Sequence, residues 1–60
     1  MMSPHDHAKE IVDWYFRHYS NKAEVCERLR RHASMLEPND PDVAAAIFRV
    51  KKGGERLFQQ

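Results

Sequence analysis

Ser3-Pro4-His5-Asp6-His7-Ala8-Lys9-Glu10-Ile11-Val12-Asp13-Trp14-Tyr15-Phe16-Arg17-His18-Tyr19 decides the fold, because one run holds a helix start, a helical period and a surplus of aromatic surface. Serine is a favoured N-cap, proline fits the first helical position, and Asp6 sits near the positive end of the helix dipole. Ala8, Ile11, Val12, Tyr15 and Tyr19 recur at the i, i+3, i+4 spacing that gathers side chains on one face. Lys9, Glu10, Asp13 and Arg17 fall on the other side. The pattern predicts a helix over 4–19, ended by Ser20-Asn21.

Working outward, the same devices recur twice. Asn21 as N-cap places Glu24 where its side chain returns a hydrogen bond, a variant of the capping box. Val25, Cys26, Leu29, Ala33 and Leu36 then form a narrow apolar stripe, predicting a helix over 22–36. It stops before Pro38, since the residue preceding proline is pushed out of the helical region. Asp40-Pro41 repeats the opening of the first helix. Val43, Ala44, Ala46, Ile47 and Val50 give the third helix its buried side over 41–52. Lys51 and Lys52 favour its negative end and Gly53 offers a left-handed cap, leaving 54–60 as a tail in which Leu57 and Phe58 fold back over the bundle. No alternating strand pattern and no internal repeat interrupts this order. The expectation is one all-α domain over 1–60. It is either a compact three-helix unit or a helical hairpin whose third helix completes the core in a dimer.

Size and composition narrow the chemistry. A chain of 60 residues lies near the lower limit for independent folding and is usually helped by disulfides, a metal or oligomerisation. Cys26 is the single cysteine, so no disulfide forms within the chain, and a lone thiol reads as cytoplasmic. No segment has the pattern of a signal peptide or the roughly 20 apolar residues of a membrane span. The net charge of +1 selects no partner class. Its distribution is uneven. Residues 1–27 set Lys9, Arg17 and Lys22 against Asp6, Glu10, Asp13, Glu24 and Glu27, a balance of −2. Residues 28–60 set seven basic residues against Glu37, Asp40, Asp42 and Glu55, a balance of +3.

Three features invite a functional reading. Trp14-Tyr15-Phe16 sweeps about 200° of the helix surface. Either the other helices cover both flanks of a wide stripe, or one ring stays exposed and anchors a partner, as aromatic hot spots do. The alanine-rich second and third helices offer little bulk for two large rings, which favours the interface. Arg28-Leu29-Arg30-Arg31-His32 suggests nucleic acid, but Glu24 and Glu27 precede Arg28 and Arg31 by four residues, the orientation of helical ion pairs. Arg30 looks the least committed of the three. Residues 23–50 also have the order of a helix-turn-helix, although the turn is bounded by two prolines, and Asp42 stands where a recognition helix would meet DNA.

Catalysis and cofactors find no support. Cys26 and His32 lie about 9 Å apart along a helix axis, too far to work as a nucleophile and base, and Cys26 reads as a small core hydrophobe. His5 and His7 point apart on a helix and lack the further ligands that zinc requires. His18 and His32 read as boundary residues. The expected function is therefore a cytoplasmic, non-enzymatic interaction module that binds a larger protein as regulator, adaptor or inhibitor. In size it is analogous to small phage and mobile-element proteins. Its binding residues are Trp14, Phe16 and Tyr19 with Arg30 and Arg31 as polar rim, and self-association as a homodimer is expected. The alternatives are a DNA-binding regulator using the second and third helices, and a structural subunit of an obligate homo-oligomer.

Overall fold

Each helix begins where its short-range chemistry says it should. The computed structural model describes the backbone of residues 2–58 and the side chains of residues 2–52. Helix α1 runs Pro4–His18, α2 Lys22–Leu36 and α3 Pro41–Phe58. The Ser3 hydroxyl accepts from the Asp6 backbone N–H at 3.1 Å, and the Asn21 side-chain oxygen accepts from the Glu24 N–H at 3.1 Å. Both satisfy amides that a helix start would otherwise leave without a partner. The Asp40 carbonyl accepts from Ala44 at 3.0 Å, opening α3 behind Pro41.

The ends are less uniform. Tyr19 leaves the helix with φ −128° and ψ 137°, yet its N–H still reaches the Tyr15 carbonyl. After α2 the chain turns tightly, with the Asn39 N–H bonded to the Leu36 carbonyl at 3.0 Å. The third helix corrects the sequence reading. It does not end at Lys52 on a left-handed Gly53, but continues through Gly53-Gly54 to Phe58. Glycine inside a helix costs about 1 kcal/mol relative to alanine, which weakens a helix without ending it. No proline follows, and Val50 and Leu57 keep a seven-residue apolar spacing. The expected return of Leu57 and Phe58 over the bundle lies outside the described side chains.

Helix α3 packs most extensively on α1 and less on α2, while α1 and α2 touch each other least. The core is Ala8 and Val12 from α1, Val25, Leu29 and Ala33 from α2, and Val43, Ala44, Ala46 and Ile47 from α3. Its largest members are Leu29 and Ile47. Among the described residues every aromatic ring lies outside it. Tyr15, Phe16 and Tyr19 pack against its edge with Ile11, Leu36 and Val50. Cys26, expected as a small core hydrophobe, is half-buried and lies outside the buried set. The Cα radius of gyration is 10.9 Å, close to the roughly 10 Å of a single folded unit this long.

Candidate functional site

The position of Trp14 follows from which residues α1 buries. With about 100° per residue, Trp14 lies about 160° from Val12, almost opposite the core. Ile11, Tyr15 and His18 fall between the two on one side, and Phe16 falls within about 40° of Val12. Trp14 is accordingly 50 % exposed. Phe16 packs half-buried against the core, so the two rings grouped in the sequence face different surroundings.

Around Trp14 the side of α1 facing α2 is aromatic. The His18 ring stacks on the indole, with centroids 4.1 Å apart and planes 17° apart. The His18 Nδ1–H donates to the Trp14 carbonyl at 2.8 Å, which holds the stack in place. Tyr15 meets the indole edge-on at 5.2 Å, and Tyr19 lies 6.0 Å from Tyr15 and 6.4 Å from Trp14. Two contacts reach α2. The Tyr15 hydroxyl is hydrogen-bonded to His32 Nδ1 at 3.0 Å. The Arg28 guanidinium sits 4.5 Å above the Tyr19 ring, a cation–π pair.

Because α1 and α2 touch so little, a shallow open trough runs between them. One stretch is lined by His7, Glu10, Ile11, Trp14, Tyr15 and His32. The next includes Tyr15 and His32 again and continues past Arg28 and Arg31 to Met35 and Leu36. The shared, hydrogen-bonded Tyr15 and His32 join the two. Met35 is 80 % exposed at its far end.

The α2 rim carries the guanidiniums of Arg28 and Arg31 beside the carboxylates of Glu24 and Glu27; Arg30 lies outside the trough lining and reaches Glu27 from the far side. Glu27 takes Arg30 in a two-pronged contact, Nη2 to Oε1 at 2.7 Å and Nε to Oε2 at 3.2 Å. Arg31 shares the same carboxylate through Nε at 3.3 Å, and Arg28 approaches Glu24 at 3.5 Å. Arg30, which looked least committed, is thus the most tightly paired, because a guanidinium at i+3 presents both prongs to one carboxylate. The Arg30 hydrogen bonds hold the Glu27 carboxyl below the ordinary glutamate value, and Glu27 raises Arg30 in return.

The structure therefore brings Trp14 and Tyr19 together, sets Arg31 on the opposite rim, and leaves Phe16 and Arg30 outside the trough, Arg30 paired with the rim's Glu27. It adds Tyr15, His18, Arg28, His32 and Met35. The Glu24–Arg28 spacing signalled Arg28, but nothing local in the sequence pairs Tyr15 with a histidine 17 positions away. Among the described residues no group of three or more His, Cys, Asp or Glu is placed to hold a metal ion, and no helix is long and apolar enough to cross a membrane. No protein-family model matches the sequence, and neither the curated proteins nor the solved structures give a significant match.

Proposed function

We propose that this chain is a small helical interaction module that binds a larger protein through the α1–α2 trough and modulates it. Trp14 is the anchor, Tyr19 and Tyr15 extend the apolar surface, and Arg28 and Arg31 form the polar rim. The observation that carries this reading is the half-exposed Trp14, held by His18 at the edge of a trough that α2 leaves open. A large ring fixed in place and accessible to a partner has the properties of a binding hot spot.

The helix-turn-helix reading finds less support. The first two turns of α3 contain no basic residue, and Val43, Ala44, Ala46 and Ile47 are committed to the core. Asp42 is left outward where a recognition helix would approach phosphates. The test is affinity purification from the native host with the wild-type chain and with Trp14→Ala, alongside far-ultraviolet circular dichroism. A specific protein retained by the wild type and lost with Trp14→Ala, at unchanged helical content, supports the module. Equal retention by both proteins refutes Trp14 as anchor, and loss of helix would make Trp14 part of the fold.

A further inference from the structure

We propose that the side chain of the larger partner received beside Trp14 is an arginine, held between the indole and the Glu10 carboxylate. This names the partner chemistry of the α1–α2 face and rests on reading that face as the site.

Glu10 lines the same stretch of trough as Trp14, Tyr15 and His32, and among the described residues it is the only carboxylate there. No described lysine or arginine lines that stretch. Its own helix offers none either. The positions three and four residues away, where helical ion pairs form, hold Asp6, His7, Asp13 and Trp14. Among the described residues Glu10 accordingly has no ion pair. The further stretch is matched: Arg28 pairs with Glu24 and Arg31 with Glu27, and all four line it. Asp13 and Arg17 flank the indole on its other side, in a separate notch with Glu10 and His18. Their charges are opposite, and neither lines the trough. Glu10 is thus the one formal charge of the trough lining without an opposite among the described residues.

The indole completes the receptor. Glu10 and Trp14 lie one turn apart and about 40° apart around α1, so a group seated on the exposed part of the ring is beside the carboxylate. Trp14 is half-exposed, and tryptophan is the aromatic side chain that best attracts a cation. The molecule uses the same pairing further along, where its own Arg28 sits 4.5 Å over Tyr19. Beside Trp14 the ring and the carboxylate are both present, and the chain supplies no such cation. A guanidinium suits the two at once, because its planar face stacks on a ring while its edge donates to a carboxylate. A wholly apolar side chain seated there would cover Glu10 without giving it a partner, which costs free energy. An acidic one would repel it.

NMR titration with Nα-acetyl-arginine amide tests this, and Trp14, the chain's single tryptophan, reports through its indole N–H resonance. At constant ionic strength and at pH 8, where histidine as a residue type is neutral, the amide should shift that resonance saturably. Nα-acetyl-citrulline amide has nearly the same shape without the charge. It should bind about two- to fivefold more weakly, the range of a cation at an exposed ring. Glu10→Gln, with helical content unchanged by circular dichroism, should weaken the arginine amide by a similar factor and the citrulline amide less. Asp13→Asn, on the other side of the indole, should have the smaller effect. Equal binding of the two amides overturns the proposal, as does arginine binding that Glu10→Gln leaves intact. Absence of a saturable shift overturns it too. The two readings fail separately. Retention of the same host protein by Trp14→Ala removes the site, whereas a host protein lost with Trp14→Ala and fully retained by Glu10→Gln removes only the arginine.

Discussion

The seam between α1 and α3 and the seam between α1 and α2 are built from opposite materials. Ala8 and Val12 of α1 are buried in one core with Val43, Ala44, Ala46 and Ile47 of α3, the neighbour α1 packs most extensively, and Phe16 is half-buried at its edge. Toward α2, α1 offers Trp14, Tyr15 and Tyr19, met by His32 and Arg28. The distance between packed helices is set by the side chains at the contact. Small aliphatics let two helices close and exclude water; large rings with polar tips hold them apart and leave a trough. The same helix thus supplies the fold with one side and an open aromatic surface with another.

The strongest way to break this contrast is to attack the closed side. Leu29→Ala removes one of the two largest buried side chains, and such truncations cost about 2–5 kcal/mol. A folded chain of 60 residues has roughly 3–9 kcal/mol in total, so this variant should be largely unfolded at room temperature by urea or thermal melting. Trp14→Ala, with the larger side chain removed, should leave the melt nearly unchanged; a loss equal to that of Leu29→Ala would erase the distinction between the two seams.

A milder substitution sharpens the open side. Tyr15→Phe deletes the hydroxyl bonded to His32 and keeps the ring. The expected loss is about 0.5–1.5 kcal/mol, together with a change in the His32 ring resonances by NMR. An unchanged His32 environment would mean that the bond does not tie α1 to α2 in solution.

The smallest effect belongs to the exposed rim. Glu27 is held below its ordinary value by Arg30, so its ion pairs support α2 above the ordinary carboxylate range. That support fades as pH falls through the lowered value. Helical content followed by circular dichroism from neutral pH downward should decline slightly less steeply for Glu27→Gln. Identical profiles would remove the Glu27 pairs from the account of α2.

What was legible in the sequence was local. Ser3-Pro4, Asn21 and Asp40-Pro41 act within one turn of themselves, and each starts a helix where the spacing predicts. The third helix's end was not legible from Gly53, since a glycine cap requires the chain to turn there, and the following residues continue as helix. The candidate site was readable only as a surplus. Three adjacent aromatics announced more ring surface than alanine-rich partners cover, and Tyr15, on the apolar face of α1, stands at the edge of the core. Its place depends on how closely α1 and α2 approach, and the Tyr15–His32 bond spans two helices. The sharing of Glu27 was likewise hidden, because both i+3 and i+4 spacings are favourable and only rotamer geometry chooses which arginine takes two prongs.

The four buried alanines, Ala8, Ala33, Ala44 and Ala46, have a consequence for descent. Nearly any replacement at these positions adds volume, and overfilling a tight interior costs about 1–3 kcal/mol. Sequence drift is therefore constrained there from one direction only, toward residues no bulkier than alanine or serine. A distant relative would be recognised by smallness at these four places, even after its outward rings had changed.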